Sequence, residues 1–258
     1  MPRWLRTLLL ALAALYVVAC AAAYLAQERL LFHPRAIAPD AAIDWGDEVW
    51  VRTPDGDSLH TVWVDRPGAE EVVLYFHGNV GDVNRARYQL RRLLDGGRLD
   101  VVAVDYRSFG KSPGPLLDDA QLLADAQAVY EAVAARYGED RVRLLGYSLG
   151  TGMAAHVAAA NAPASLTLVA PYTSLVDMKD RWFWWLPDAL LKYRLDTRAR
   201  LPEVSCPVAI YHGTADRLIP FAMAEELRRL SPKWARLHAL SGVSHRGAIL
   251  ALEEAWVR

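Results

Sequence analysis

A pentapeptide of the form Gly-x-Ser-x-Gly, Gly146-Tyr147-Ser148-Leu149-Gly150, places the strongest constraint on how this sequence can fold. It directly follows an apolar run and directly precedes an alanine-rich stretch, so the pattern predicts a strand, a sharp turn and a helix. A serine on such a turn projects its hydroxyl beyond the edge of the sheet, and the helix N-terminus behind it favours developing negative charge. The pattern therefore indicates a nucleophilic serine at position 148.

The same pattern occurs a second time at residues 110–114, where Ser112 takes the central position. The residue after the nucleophile must donate its backbone N–H to the oxyanion, and Pro113 has no N–H, whereas Leu149 has one. Residues 110–114 also lead into a second proline, which disfavours a regular helix. We therefore expect Ser148, and not Ser112, to be the nucleophile.

The rest of the sequence alternates apolar runs with helical patterns, which predicts an α/β fold with a mainly parallel sheet covered by helices on both faces. A turn signal at residues 53–57 predicts an antiparallel hairpin at the start of the sheet. The predicted strands are 48–52, 59–64, 72–76, 100–104, 142–145, 166–169, 208–211 and 237–240, and the predicted helices are 82–95, 116–137, 149–160, 221–230 and 247–257.

The N-terminus departs from this pattern, because Arg3 and Arg6 precede an uncharged apolar run from Thr7 to Ala26. About 20 such residues suffice to span a bilayer. The arginines favour a cytoplasmic N-terminus, so a single-pass anchor would place the remaining chain on the extracytoplasmic side. We expect a membrane anchor at residues 1–28, a connector at 29–46 and the α/β domain at 47–258.

A second interpretation of the N-terminus remains open. The tetrapeptide Val17-Val18-Ala19-Cys20 resembles the lipobox of bacterial lipoproteins, in which the cysteine is lipidated and the preceding segment is removed. Both interpretations predict that the protein is attached to a membrane. Because Cys20 lies in the apolar segment, a disulfide with Cys206, the only other cysteine, is not expected.

A set of polar residues follows the predicted strands at their carboxyl ends, where ligands bind in open parallel sheets. A nucleophilic serine needs a base, and that base needs a carboxylate to hold its tautomer. Ser148, Asp216 and His245 offer these three roles in chain order. Asp177 and Asp180 are rival carboxylates, while the other histidines lie in patterns typical of structural or surface positions.

An oxyanion hole needs two backbone N–H groups aimed at one oxygen. Leu149 supplies one, and Asn79, in the loop after the predicted strand 72–76, is the candidate for the other. Asp105 also follows a strand, but its position beside Arg107 predicts that it either forms an ion pair that fixes the loop or accepts a hydrogen bond. The predicted serine chemistry needs no metal and no organic cofactor. The net charge of −1 argues against a nucleic-acid partner.

Together these motifs resemble the α/β-hydrolase superfamily. The resemblance rests on Phe76-His77-Gly78-Asn79, Asp105-Tyr106-Arg107, the pentapeptide around Ser148, His212-Gly213 with Asp216, and His245. The apolar N-terminus followed by Glu28-Arg29-Leu30-Leu31-Phe32-His33-Pro34 is similar to the N-terminally anchored branch, which includes protein depalmitoylases and bacterial hydrolases.

The resemblance implies roles for particular residues: Ser148 as nucleophile, Asp216 as acid, His245 as base, and Asn79 and Leu149 as oxyanion donors. The sequence departs from the branch at Ser244-His245-Arg246, where a Gly-His-Asn type of loop is usual. This departure concerns the shape of the loop and not the role of the histidine.

An aromatic stretch, Arg181-Trp182-Phe183-Trp184-Trp185-Leu186-Pro187, lies between two late strands, where such folds insert a short cap. It predicts either a helix packed on the sheet or an apolar rim that receives an acyl chain or touches lipid. The resulting expectation is a membrane-anchored serine hydrolase acting on esters or thioesters of a small-molecule or acylated substrate. A peptidase or amidase using the same triad, and a catalytically silent membrane-bound scaffold, remain as alternatives.

Overall fold

A computed structural model describes residues 1–96 and 98–256 of the chain. Its helices are α1 (Arg3–Leu31), α2 (Val83–Gln89), α3 (Arg91–Gly96), α4 (Asp119–Tyr137), α5 (Gly150–Ala160), α6 (Leu175–Phe183), α7 (Thr197–Arg200), α8 (Phe221–Leu230) and α9 (His245–Trp256). Its strands are β1 (His33–Pro34), β2 (Asp47–Arg52), β3 (Ser58–Val64), β4 (Val72–Phe76), β5 (Val80–Gly81), β6 (Asp100–Val104), β7 (Val142–Tyr147), β8 (Ser165–Val169), β9 (Val208–Gly213) and β10 (Ala235–Leu240).

The large sheet has the strand order β10-β9-β8-β7-β4-β6-β3-β2. Neighbouring strands from β10 to β6 run parallel, while β3 pairs antiparallel with both β6 and β2. The predicted mainly parallel sheet with an initial hairpin is therefore confirmed. Strand β7, which leads to Ser148, lies inside the sheet between β4 and β8, so its end is held from both sides.

The central strands β4 and β6 are buried on both faces, as their apolar runs indicated, whereas the edge strands β2 and β10 are largely exposed. Successive side chains of a strand point to opposite faces. In β4, Leu74 and Phe76 pack with α4 and α5 residues such as Tyr130 and Met153, whereas Tyr75 packs on the other face with residues of α2, α3 and α9 such as Ile249. Helices therefore cover both faces and leave the carboxyl ends of the strands for the site.

Several elements differ from the sequence expectation in ways that have physical reasons. The single helix predicted at 82–95 is two helices, α2 and α3, which meet at Leu90. The sequence analysis assigned no element to β1 or β5, because two-residue strands carry no periodic pattern. The sequence prediction also assigned no helix to α6 or α7; α7 has only four residues, whereas α6 does carry apolar residues at helical spacing, at Leu175, Met178 and Trp182.

Helix α1 is long and apolar enough, by length and composition, to cross a membrane, and no other helix in the described part of the chain meets that test. At 29 residues it extends for about 43 Å. It continues past residue 28, and the chain after it remains packed on the domain: Phe32 is buried against Phe109 and Tyr193, with ring centroids 6.4 and 4.8 Å away.

A buried charge cluster fixes the loop after β6 to the hairpin. Arg107 is 1% exposed and donates hydrogen bonds to Asp125, at 2.7 and 2.9 Å, and to Asp55 and Asp57 in the hairpin turn. The Asp125 side chain is 3% exposed. Burial raises the pKa of Asp125, and the hydrogen bonds from Arg107 oppose that rise. Contrary to one of the two expectations, Arg107 therefore pairs with these carboxylates and not with Asp105.

We predict that Arg107→Leu destabilises the full-length protein by about 3–5 kcal/mol, because it leaves the Asp125 carboxylate buried without a cation. Arg87→Leu, which removes the half-exposed pair with Asp44, is the control and should cost less than about 1 kcal/mol. Urea unfolding in detergent, followed by tryptophan fluorescence, measures both. Equal losses in the two variants would contradict a structural role for the cluster.

Candidate active site

Ser148 lies on a strained turn between β7 and α5. Its φ is +52°, in the left-handed region that non-glycine residues rarely adopt. The turn is possible because the flanking residues are glycines: a Cβ at Gly146 would lie 2.6 Å from the Gly150 carbonyl oxygen, and one at Gly150 would lie 2.1 Å from that of Phe76. The two glycines thus allow α5 to begin directly against the end of β4, with the serine at the apex.

The structure brings Ser148, His245 and Asp216 together in one chain of hydrogen bonds. His245 Nδ1 lies 2.7 Å from Asp216 Oδ2, and His245 Nε2 lies 3.0 Å from Ser148 Oγ. Because an ionised carboxylate can only accept, Nδ1–H donates to Asp216. Nε2 is then the acceptor for the Ser148 hydroxyl proton. This is the geometry that a general base needs to activate a serine.

The Asp216 carboxylate is buried but well supplied with donors. Its side chain is 0% exposed, and its Oδ1 accepts hydrogen bonds from the backbone N–H groups of Leu218 and Ile219, both at 2.9 Å. Burial would raise the pKa of Asp216, but hydrogen bonds from His212, His245 and Ile219 outweigh it and hold the pKa well below its usual range. Asp216 therefore stays ionised at neutral pH beside the imidazole.

The loops that carry Asp216 and His245 are bonded to each other. The Ala215 N–H donates to the Val243 carbonyl at 3.1 Å, and the Gly242 N–H donates to Thr214 Oγ1 at 2.9 Å. A Cβ at Gly213 would lie 2.1 Å from the Val243 carbonyl oxygen, so the end of β9 can approach this loop closely only as glycine. These contacts fix the distance between Asp216 and His245 without any contribution from Ser148.

Tyr147 is a residue that the sequence analysis did not assign to the site. Its ring centroid lies 5.5 Å from that of His245, and its hydroxyl donates to the His245 carbonyl at 3.3 Å. Burial, reinforced by the Asp216 charge, raises the pKa of Tyr147 to about 12, so the phenol remains protonated and can donate. Its place before the serine in the pentapeptide was the only available signal.

Asn79 and Leu149 line one cavity with Ser148, of about 120 Å³. Among the described residues, neither backbone N–H donates to another protein group, so both remain available to a ligand. The Asn79 loop is held by the end of α1: Asn79 Nδ2 donates to the Leu31 carbonyl at 3.1 Å, and the His33 N–H donates to the Asn79 carbonyl at 2.9 Å. The segment after the apolar helix therefore positions this loop.

The rival residues have other partners. The Ser112 hydroxyl donates to the Asp105 carbonyl at 2.6 Å and accepts from the His60 N–H at 2.8 Å. Asp177 accepts hydrogen bonds from two hydroxyls at the start of α6, and Asp180 pairs with Lys179. Neither carboxylate contacts His245.

The other histidines near the site also bond to structural partners. His77 Nδ1 lies 2.6 Å from the Gly78 carbonyl, and His212 Nε2 lies 3.0 Å from the Ile219 carbonyl and 3.4 Å from Asp216 Oδ2. Asp105 accepts from His60 Nδ1 at 2.7 Å and from the Val83 N–H at 2.8 Å, which matches its predicted acceptor role. Within the described part of the chain, no group of three or more His, Cys, Asp or Glu side chains is arranged to hold a metal ion.

Comparison with known sequences places this geometry in a family context. The profile of the family described as alpha/beta hydrolase fold matches residues 71–205. An uncharacterised protein of Mycobacterium tuberculosis is 32% identical over 227 residues, which cover 85% of this chain and 80% of that protein. The lysophosphatidylserine lipase ABHD12 of Danio rerio is 27% identical over 226 residues, which cover 77% of this chain but only 58% of the lipase.

Solved structures resemble the chain at the level of the fold. An esterase of Pyrococcus furiosus superposes with a TM-score of 0.69 at 19% identity, covering 88% of this chain and 94% of the esterase. A serine hydrolase without a lid from Xanthomonas campestris superposes with a TM-score of 0.61 at 20% identity, covering 83% and 93%. At these identities the likeness shows the fold alone.

We predict that Asp216→Asn slows the reaction of the protein with a fluorophosphonate by about 10⁴-fold, because an amide N–H facing Nδ1 would turn the other tautomer toward Ser148. Asp177→Asn is the matched control, since it makes the same change at a rival carboxylate and keeps an acceptor oxygen. Second-order rate constants for labelling measure the effect. If the Asp216→Asn variant reacts as fast as the Asp177→Asn variant, a carboxylate other than Asp216 must orient His245.

Proposed function

Because the chain belongs to the alpha/beta hydrolase family, we propose that it is a membrane-anchored serine hydrolase that cleaves carboxylic esters or thioesters. The observation that carries the proposal is the hydrogen-bond chain from Asp216 through His245 to Ser148, with contacts of 2.7 and 3.0 Å. A structural serine needs neither a strained backbone nor a histidine held by a buried carboxylate.

In the proposed reaction, Ser148 Oγ attacks the carbonyl carbon while His245 Nε2 takes the hydroxyl proton. The tetrahedral intermediate then collapses, the alcohol or thiol leaves with that proton from His245, and the acyl group remains on Ser148. A water molecule, deprotonated by His245, attacks this acyl-enzyme and releases the carboxylic acid and the free serine. Asp216 stays ionised throughout and stabilises the imidazolium.

The N–H groups of Asn79 and Leu149 are the proposed donors to the oxyanion. Their support is the shared cavity with Ser148 and the absence of other acceptors for them in the described part of the chain. The N-terminus of α5 adds a favourable field at the same place. Such preorganised donors contribute about 3–4 kcal/mol each to lowering the barrier in serine hydrolases.

Relatives with a stated activity favour ester substrates. ABHD12 of Danio rerio is a lysophosphatidylserine lipase, and the Pyrococcus furiosus protein is an esterase. We extend to this chain only the shared chemistry, hydrolysis of a carboxylic ester. The thioester in the proposal rests on the acyl-enzyme mechanism, which serves both ester types. A panel of acetyl and longer acyl esters, thioesters and aminoacyl amides, assayed on the full-length protein, separates this activity from that of an amidase on the same residues.

We further propose that residues 1–28 anchor the α/β domain of residues 47–258 to a membrane through α1. The apolar run from Thr7 to Ala26 is long enough to span, and Arg3 and Arg6 ahead of it favour an extracytoplasmic α/β domain. Attachment to a membrane suits a hydrolase of acylated substrates, because their acyl chains partition there.

We predict that Ser148→Ala abolishes ester hydrolysis, while Ser112→Ala retains most of it. The two serines share the Gly-x-Ser-x-Gly pattern, but only Ser148 contacts a histidine nitrogen, and Pro113 offers no oxyanion donor. Initial rates with an acetyl ester measure the difference, which should exceed about 10³-fold. An active Ser148→Ala enzyme together with a dead Ser112→Ala enzyme would refute the assignment.

We predict that Cys20→Ser leaves the protein in the membrane fraction after extraction with carbonate at high pH. The reason is that about twenty apolar residues hold the chain in a bilayer without a lipid on Cys20. Immunoblots of pellet and supernatant measure this, with wild type alongside. Release of the variant while wild type is retained would establish the lipobox alternative instead.

A further inference from the structure

A second, larger cavity borders the cavity at Ser148. It has a volume of about 240 Å³ and lies between α1 and α6. The two cavities share five lining residues, Leu30, Leu31, Leu175, Met178 and Leu218. Because the shared residues are all apolar, the boundary between the two cavities presents apolar side chains to a hydrocarbon chain attached to a carbonyl at Ser148.

Gln27 and Lys179 line the larger cavity but direct their polar groups to protein partners. Gln27 Nε2 donates to the Leu190 carbonyl at 2.8 Å, and its Oε1 accepts from the Lys192 N–H at 2.9 Å. Lys179 Nζ donates to the Leu186 carbonyl at 2.9 Å and pairs with Asp188. The Tyr193 hydroxyl, also in this lining, is buried and has no hydrogen-bond partner among the described residues. Because Gln27 and Lys179 present mainly their hydrocarbon portions, the lining is mainly apolar and suits an apolar occupant.

The anchor helix itself forms one wall of this cavity. Ala23, Gln27, Leu30 and Leu31 line it, and their spacing of four, three and one residues places them on one face of α1. Lys192 Nζ pairs with Glu28 at 2.8 Å and holds this face against the cap segment. The helix that the sequence marks as a membrane anchor is therefore also part of the lining next to the site.

The opposite wall belongs to the aromatic cap stretch. Trp182 and Phe183 line the cavity and are also 63% and 39% exposed. Next to them, Trp185 accepts a hydrogen bond at its carbonyl from the Tyr16 hydroxyl, at 3.1 Å. Tyr16 lies inside the apolar run of α1, so the cap reaches a level where lipid acyl chains would surround the helix. The exposure of Trp182 and Phe183 favours the apolar-rim interpretation of this stretch, while Leu175 and Met178 of α6 pack against the core.

From these observations we propose that the cavity between α1 and α6 binds the acyl chain of the substrate, with the chain's carbonyl at Ser148 and its methyl end against Ala23. The inference rests on the proposed function of Ser148 and adds the substrate class, a fatty acyl ester or thioester with a chain of medium to long length. Helix α1 thereby limits the length of acyl chain that the cavity accepts, in addition to attaching the protein to the membrane.

The test is the acyl-length profile of the full-length protein in lipid nanodiscs, with acetyl, butyryl, octanoyl and dodecanoyl esters. In wild type, kcat/KM should rise by up to about fourfold for each methylene that enters the cavity. Ala23→Trp fills the cavity from α1, so its octanoyl-to-acetyl ratio of kcat/KM should fall by about tenfold or more. The control is Ala22→Trp, the same change at an exposed neighbouring position, which should keep the wild-type ratio.

A second variant changes the profile in the opposite direction, which a folding defect cannot imitate. Met178→Ala enlarges the region shared by the two cavities and should raise the dodecanoyl-to-octanoyl ratio of kcat/KM above that of wild type. Identical profiles in wild type, Ala23→Trp and Met178→Ala would overturn the inference and leave a bound membrane lipid as the occupant. A wild type that hydrolyses no ester in a Ser148-dependent manner would instead overturn the proposed function, and the inference with it.

Discussion

The turn at Ser148 is the constraint on which the rest of the structure depends. A non-glycine residue with a φ of +52° persists only if the surrounding structure holds its backbone in place. Here the parallel neighbours β4 and β8 hold the end of β7, and the glycines at 146 and 150 let α5 begin within contact distance of the Phe76 carbonyl. At this turn Ser148 Oγ lies 3.0 Å from His245 Nε2, and Ser148 lines one cavity with Leu149 and Asn79.

The anchor and the site are connected through a short stretch of backbone. The end of α1 accepts a hydrogen bond from Asn79 at the Leu31 carbonyl, and β1 continues from it to pair with β5 immediately after Asn79. Leu30 and Leu31 also line the cavity at Ser148. The helix proposed as a membrane anchor is therefore also the helix whose last residues position the Asn79 loop of the proposed oxyanion hole.

Much of this arrangement could be predicted from the sequence, because it follows from periodic or short-range patterns. The apolar runs predicted the bounds of β4 and β6, and the missing N–H at Pro113 distinguishes Ser112 from Ser148 in the sequence alone. Asp216 was preferred to Asp177 as the acid, although both follow a predicted strand, and the structure brings Asp216 to His245. The catalytic roles of these residues stay predictions until they are measured.

What the sequence could not provide depends on contacts between distant segments. The two-residue strand β1 exists only because Asn79 and β5 lie beside it, and nothing local in His33-Pro34 indicates this. Tyr147 contacts His245 across 98 positions of the chain, and Gln27 contacts Leu190 across 163. Such pairs arise from the packing of the cap and α1 against the sheet, which no periodicity encodes.

The central claim is that Ser148 is the nucleophile. It is tested most directly by mass-spectrometric mapping of the full-length protein after reaction with a fluorophosphonate. Our account predicts one adduct per chain, on Ser148, in the peptide that contains Gly146 to Gly150. An adduct on Ser112, or an unmodified Ser148 under conditions that label other serine hydrolases, would contradict it.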